Sequence, residues 1–397
     1  MRRHPLIVAL TGMLSLAVAM GIGRFAFTPL LPMMLHDGLV NLGGGSWLAT
    51  ANYLGYWIGA MACAMQPALW SRWLRWAPLR ATRAVRVGLL ATVVLTLAMA
   101  MHWPGAWPVM RFLAGLASAL VFVYTSSWCM GRLAALGAPR LAGVIYMGPG
   151  LGIFISGLAA SAMVSAQLSS AQGWVIFGGL ALLLTLAVWT RFDGDGPVVA
   201  SQGPGLAPAP SGGTRVLVLA YGLAGFGYII TATFLPVIAR QALPGSVWLD
   251  LFWPLFGLAV AIGALLTLRV PDSWDRRHLL MVCYLLQALG VMLAVWWPSL
   301  PGFALGSLCL GLPFTAITLF ALQEVRRLRP RDAPAYIGLL TAAYGLGQIA
   351  GPALVGAVLG LTPDPASGFK LSLELAAAAL VLGVLLYDWL VQPRRGR

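Results

Sequence analysis

Apolar residues occupy this chain in long stretches, each bounded by Gly, Pro or Arg, rather than as the narrow stripe of a soluble amphipathic helix. A bilayer-crossing helix needs about 20 mostly apolar residues. Runs of that kind fall at 6 to 32, 47 to 69, 87 to 103, 107 to 129, 141 to 165 and 173 to 190. Six more fall at 215 to 239, 249 to 268, 279 to 297, 301 to 322, 335 to 360 and 371 to 391. The pattern predicts an all-α integral membrane protein of twelve transmembrane helices. The stretch 191 to 214 is rich in Gly, Pro and Ser and too poor in apolar residues to fold alone. It reads as a linker between an N-terminal six-helix bundle, 1 to 190, and a C-terminal one, 215 to 397.

Composition agrees with that reading. Of 397 residues, 60% are hydrophobic and only 9% charged, against about 25% charged in soluble proteins. The net charge of +14 is spread along the chain, so it does not form the gathered basic face that nucleic-acid binding requires. Twelve crossings put nearly all the cations on one side, including Arg2, Arg3, Arg72, Arg75, Arg80, Arg132, Arg276, Arg326 and Arg394. The exceptions are Arg24 and Arg111 inside spans and Arg240 and Lys370 at the opposite ends of spans 7 and 12. Because Lys and Arg in short loops are retained in the cytoplasm, the expectation is a monomeric, multi-pass inner-membrane protein with both termini cytoplasmic.

The two halves repeat. Span 1 reads GIGRFAFTPLLP from Gly21, and span 7 reads GFGYIITATFLP from Gly225, without a gap. Ile58-Gly59-Ala60 matches Ile262-Gly263-Ala264, and Gly148-Pro149 matches Gly351-Pro352. Odd spans match odd and even match even, so the halves are parallel repeats about an axis along the membrane normal, with the substrate path between them. The opening MRRHP and Ala17-Val18-Ala19 imitate a secretory signal peptide. The match to internal span 7 argues against cleavage there.

GIGRFAFTPLLP at 21 to 32 and GLGQIAGP at 345 to 352 resemble the YbfB/YjiJ-type branch of the major facilitator superfamily. Arg111-Phe-Leu-Ala-Gly115 resembles that superfamily's span-4 motif, and Gly148-Pro149-Gly150-Leu151-Gly152 its span-5 antiporter motif. The resemblance implies the major facilitator fold, alternating access, and spans 1, 4, 7 and 10 around the cavity. One departure stands out: from Gly59 to Arg86 the loop after span 2 holds five Arg and no acid. Its counterpart carries Asp272, Asp275, Arg276 and Arg277, so a charged cytoplasmic latch must be asymmetric.

Arg24 is the sharpest candidate. A guanidinium inside a span costs at least about 2.5 to 3.5 kcal/mol unless paired, hydrated or snorkelling, and no charged residue lies between Leu6 and Leu35 except Arg24 itself. It offers a bidentate fork to a carboxylate or phosphate, or else it braces backbone carbonyls freed by Pro29 and Pro32. Arg111 either shares that basic site or snorkels beside Trp103 and Trp107. Tyr228, the repeat partner of Arg24, with Gln348 and Asn52, completes the candidate substrate-binding set. Taken one at a time, Gln348 and Asn52 are better explained as interhelical glue. Gly148, Pro149, Gly351 and Pro352 are candidate hinges or static kinks. No carboxylate lies at mid-span, which leaves Glu374 and Asp250 as coupling candidates.

Other chemistries find no support. Cys63, Cys129, Cys283 and Cys309 sit in apolar runs without a CxxC pair, His4, His36, His102 and His278 sit near helix ends, and the Gly-x-Gly pairs lack a βαβ context. The expectation is a non-enzyme with no metal or cofactor, whose partners are the lipid bilayer, a small-molecule substrate and, as coupling ion, protons. The leading function is secondary transport of a small organic anion near Arg24 and Arg111. The alternatives are a proton-coupled drug or metabolite exporter and a non-transporting sensor or scaffold.

Overall fold

The computed structural model describes residues 4–69, 80–193, 212–246, 248–271, 273–329 and 333–391. The expected linker is therefore largely outside the described residues, as are Arg2, Arg3, Arg72, Arg75, Asp195, Asp272, Arg331, Asp332, Arg394, Arg395 and Arg397. Twelve helical spans are seen among the described residues. Spans 1 to 6 are Pro5–His36, Leu42–Leu69, Ala81–Ala98, Trp107–Ala135, Ala142–Ser165 and Ser170–Trp189. Spans 7 to 12 are Gly212–Ala242, Leu249–Thr267, Arg276–Trp296, Leu300–Leu328, Ala333–Leu361 and Pro365–Val391. Eleven are long and apolar enough to cross a membrane. Span 2, at 28 residues, is long enough but is diluted by Gly43-Gly44-Gly45, Asn52, Tyr53, Tyr56 and Trp57.

Small residues let these backbones meet, since lipid offers no hydrophobic drive between helices. A Cβ on Gly115 of span 4 would stand 2.0 Å from the Asn52 carbonyl oxygen of span 2. The second half repeats this contact: a Cβ on Gly311 would meet the Phe256 carbonyl oxygen at 2.6 Å. Gly59 likewise lies against Leu116 as Gly263 lies against Leu312. Even the helix ends correspond: Arg86 donates to the Trp189 and Phe192 carbonyls at 3.2 and 2.7 Å, and Arg277 to Leu390 at 2.8 Å. In both halves an Arg thereby satisfies orphan carbonyls at a neighbouring span's C-terminus.

Spans 2 and 11, and spans 5 and 8, pack across the two sets of six. On span 5, Gly150 lies against Ala261 and Gly257, and Gly157 against Pro254. Where spans 1 and 7 cross, the Thr28 hydroxyl donates to the Ala232 carbonyl at 3.1 Å. Thr28 and Ala232 are repeat-equivalent, so this contact lies close to the axis relating the halves. Exposed Trp47, Trp103, Trp248, Trp296 and Trp297 gather at the end opposite the basic loops, as an aromatic interface belt does.

The halves differ in helix continuity. Span 7 is a single helix from Gly212 to Ala242. Span 1 passes through a π-helix at Ala17–Ile22 and a turn before its helix resumes at Phe27. Residue 29 explains much of the difference. Pro29 has no N–H to give, whereas its counterpart Thr233 continues the helix and returns its hydroxyl to Ile229 at 2.7 Å. Gly148-Pro149 begins the Gly148–Ser165 helix after a break at Tyr146-Met147, whereas Pro352 lies within an unbroken helix. Of the two expected hinge pairs, only the first coincides with an interruption.

Candidate functional site

The broken segment of span 1 presents Arg24 where spans 1, 7 and 11 meet, 3% exposed. Its Nη2 donates to Gln348 Oε1 at 2.7 Å, and the Gln348 amide nitrogen donates in turn to the Tyr228 hydroxyl. Arg24, Tyr228 and Gln348 are thus one connected group drawn from spans 1, 7 and 11. The guanidinium carbon lies 4.1 Å from the ring centroid of Tyr56, 4.8 Å from Tyr53 and 5.3 Å from Phe25. Cation–π contact of this kind lowers the cost of burying the charge without neutralising it. Arg24 Nε is buried with no hydrogen-bond partner.

Arg111 neither snorkels nor turns toward the aromatic cage. It is 2% exposed and donates from Nη1 to the Gly23 carbonyl at 3.2 Å and from Nη2 to the Arg24 carbonyl at 3.0 Å. The Arg24 carbonyl is free because Thr28 N–H turns to Phe25 C=O, at 3.1 Å, at the break in span 1. The bracing expected as an alternative for Arg24 is therefore performed on span 1 by Arg111. Asn52 completes the brace, its amide nitrogen donating to the Arg111 carbonyl at 2.8 Å. Arg111 and Asn52 hold the backbone of Arg24, while Tyr228 and Gln348 hold its side chain.

Among the described residues, no ion pair reaches either buried guanidinium. Asp250 is paired instead with Arg240, at 2.5 Å. Glu374 is exposed on span 12 beside exposed Lys370. Neither coupling candidate touches Arg24. The site is thus a fixed positive charge walled by aromatic rings, chemistry that attracts an anion and includes no proton-accepting carboxylate among the described residues.

One buried acid was not singled out from the sequence. Glu324 on span 10 is fully buried, 3.8 Å from Arg277 Nε and 3.6 Å from Arg327 Nη1. Nearby, Asp275 accepts from Arg277 at 2.7 Å, and that guanidinium holds its carboxyl down at about 2. This cluster belongs to the second half alone among the described residues, in line with the acid-free loop after span 2. The sequence signal was the Asp275-Arg276-Arg277 run; the burial of Glu324 follows from how spans 9 and 10 pack.

Over residues 16–388 the chain matches the family described as the uncharacterised MFS-type transporter YbfB. The chain belongs to this family. It is a multi-pass membrane transporter with the major facilitator fold, as the resemblance implied, and not an enzyme. The solved structure of a point mutant of the nucleoside transporter NupG superposes with a TM-score of 0.76 at 16% identity, covering 97% of this chain and 100% of that one. A D-xylose–proton symporter superposes with a TM-score of 0.74 at 13% identity, covering 98% of each chain. At such identities the likeness is one of fold. No curated protein matches the transporter in sequence.

Proposed function

We propose that this transporter carries a small organic anion by alternating access, with the anion bound at Arg24. The observation that carries the reading is the uncompensated charge: two guanidiniums at 3% and 2% exposure, with no carboxylate partner among the described residues. Burying a lone charge costs several kcal/mol, and a cargo anion offsets that cost at the moment it binds. Arg24 is the ligand, Gln348 and Tyr228 aim its fork, and Arg111 with Asn52 fixes its backbone. The moving units are residues 1–190 and 215–397, joined by 191–214, with both termini cytoplasmic. Gly148-Pro149 is the hinge of span 5, and Gly351-Pro352 its less mobile counterpart in span 11.

Uptake of radiolabelled small carboxylates into proteoliposomes, for the native chain and for Arg24→Ala, tests the proposal. Anion flux that collapses in Arg24→Ala is the expected outcome. Equal flux in the two proteins overturns the assignment. A second reading, export, rests on Gly148, Gly150 and Gly152 of the span-5 motif packing backbone-close on spans 1 and 8. It predicts flux of apolar or cationic compounds that survives Arg24→Ala.

A further inference from the structure

We infer that the anion is an arenecarboxylate, with its carboxylate on Arg24 and its ring among the tyrosines of spans 2, 7 and 11. This inference rests on the anion reading above and adds what the walls of the site require. Tyr344 stacks on Tyr221 at 4.6 Å between centroids and 28° between planes, and on Tyr228 at 5.8 Å and 19°. Phe314 closes the group edge-on to Tyr228 at 5.0 Å and 73°. Tyr344 sits one helical turn before Gln348, which puts both on the same face of span 11, and Gln348 reaches Arg24. The ring stack and the guanidinium are therefore contiguous.

Three of the tyrosine hydroxyls here are already engaged. Tyr53 is bonded to Thr233 at 2.9 Å, Tyr221 donates to Thr318 at 3.1 Å, and Tyr228 accepts from Gln348. A polyhydroxylated anion such as a sugar acid would bury hydroxyls against walls with few free partners, which is costly. What the walls leave partly exposed are aromatic rings, those of the half-buried Tyr56 and Tyr344. Beside them Arg24 Nε is a buried, unpartnered donor. One charge-assisted fork beside stacked faces matches a flat ring bearing one carboxylate. Offset stacking distinguishes such a ring from a saturated one of equal size and charge.

The probes are benzoate, cyclohexanecarboxylate and benzamide, titrated into the purified full-length protein in detergent with calorimetric detection. Benzoate is expected to bind about three- to tenfold more tightly than cyclohexanecarboxylate. That ratio is expected to fall to about one in Tyr344→Leu while both acids still bind. Tyr56→Leu serves as the second test of the same ratio should Tyr344→Leu not fold. Arg24→Ala is expected to lose both acids. If both acids bind the native protein equally and both are lost in Arg24→Ala, the aromatic inference falls and the anion reading stands. If neither acid binds, the inference falls and the anion reading stands on the flux test alone; if benzamide binds as tightly as benzoate, both fall.

Discussion

The two halves of this transporter make the same close contacts but place opposite chemistry at their centres. Gly115 meets the Asn52 carbonyl as Gly311 meets Phe256, and Gly59 meets Leu116 as Gly263 meets Leu312. Within that shared scaffold, Arg24 of the first half faces its repeat partner Tyr228 through the Gln348 amide. Arg111 has Ser307 at the matching place after Gly115 and Gly311 are aligned, and the Ser307 hydroxyl returns only to Phe303 of its own helix, at 2.8 Å. The charge is therefore confined to one wall, and so is the irregular backbone. Span 1 breaks where Arg111 takes its carbonyls, and span 7 does not. Close packing fixes the repeat; substitution within it makes one half the charge-bearing wall and the other the neutral one. π-Helical segments are frequent at functional sites, and here the segment precedes the residue assigned to the ligand.

The comparison breaks most readily at the pair Arg111 and Ser307. Arg111→Ala leaves the Gly23 and Arg24 carbonyls unpaired and frees the Arg24 backbone, so anion affinity is expected to fall about tenfold, the equivalent of one charge-assisted hydrogen bond. Ser307→Ala is expected to leave affinity within about twofold. Calorimetric titration of both variants checks this, and equal losses would mean that Arg111 has no special hold on span 1.

A smaller effect sharpens the comparison in the scaffold. Gly115→Ala places its Cβ 2.0 Å from the Asn52 carbonyl oxygen and 2.7 Å from the Tyr56 backbone nitrogen. Gly311→Ala meets the Phe256 carbonyl oxygen at the looser 2.6 Å. Overpacking of this kind costs about 1 to 3 kcal/mol, so both variants should melt below the native protein, Gly115→Ala the lower of the two. A larger loss in Gly311→Ala would show that the tighter contact yields more easily than its geometry implies.

Much of the scaffold was legible because it is written in local pattern. Apolar length marked the spans, and the gapless match from Gly21 and Gly225 marked the repeat. The break in span 1 was less legible, since its apolar run is continuous and only Pro29 hints at the lost ladder bond. In the site, residue types carried the signal: Arg24, Arg111, Gln348 and Asn52 stand out in apolar helices because burial makes polar groups expensive. Their pairing did not, because partners such as Arg24 and Gln348 lie 324 residues apart and meet only through tertiary packing. That is why Arg111, read as part of the ligand site or as snorkelling, turns out to grip backbone. Glu324 was obscured for the converse reason. Beside Arg326 and Arg327 it reads as a solvated helix end, and only tertiary packing buries it.

The central claim is that the unneutralised Arg24 is the transporter's anion ligand, and thermal unfolding in detergent tests it most directly. A ligand that binds only the folded state raises the melting temperature. Matched anionic, neutral and cationic small molecules should be compared on the native protein and on Arg24→Ala. The account predicts a rise with anions alone, absent in Arg24→Ala. A rise with neutral or cationic compounds that persists in Arg24→Ala would contradict it and leave Arg24 a structural tie between spans 1 and 11.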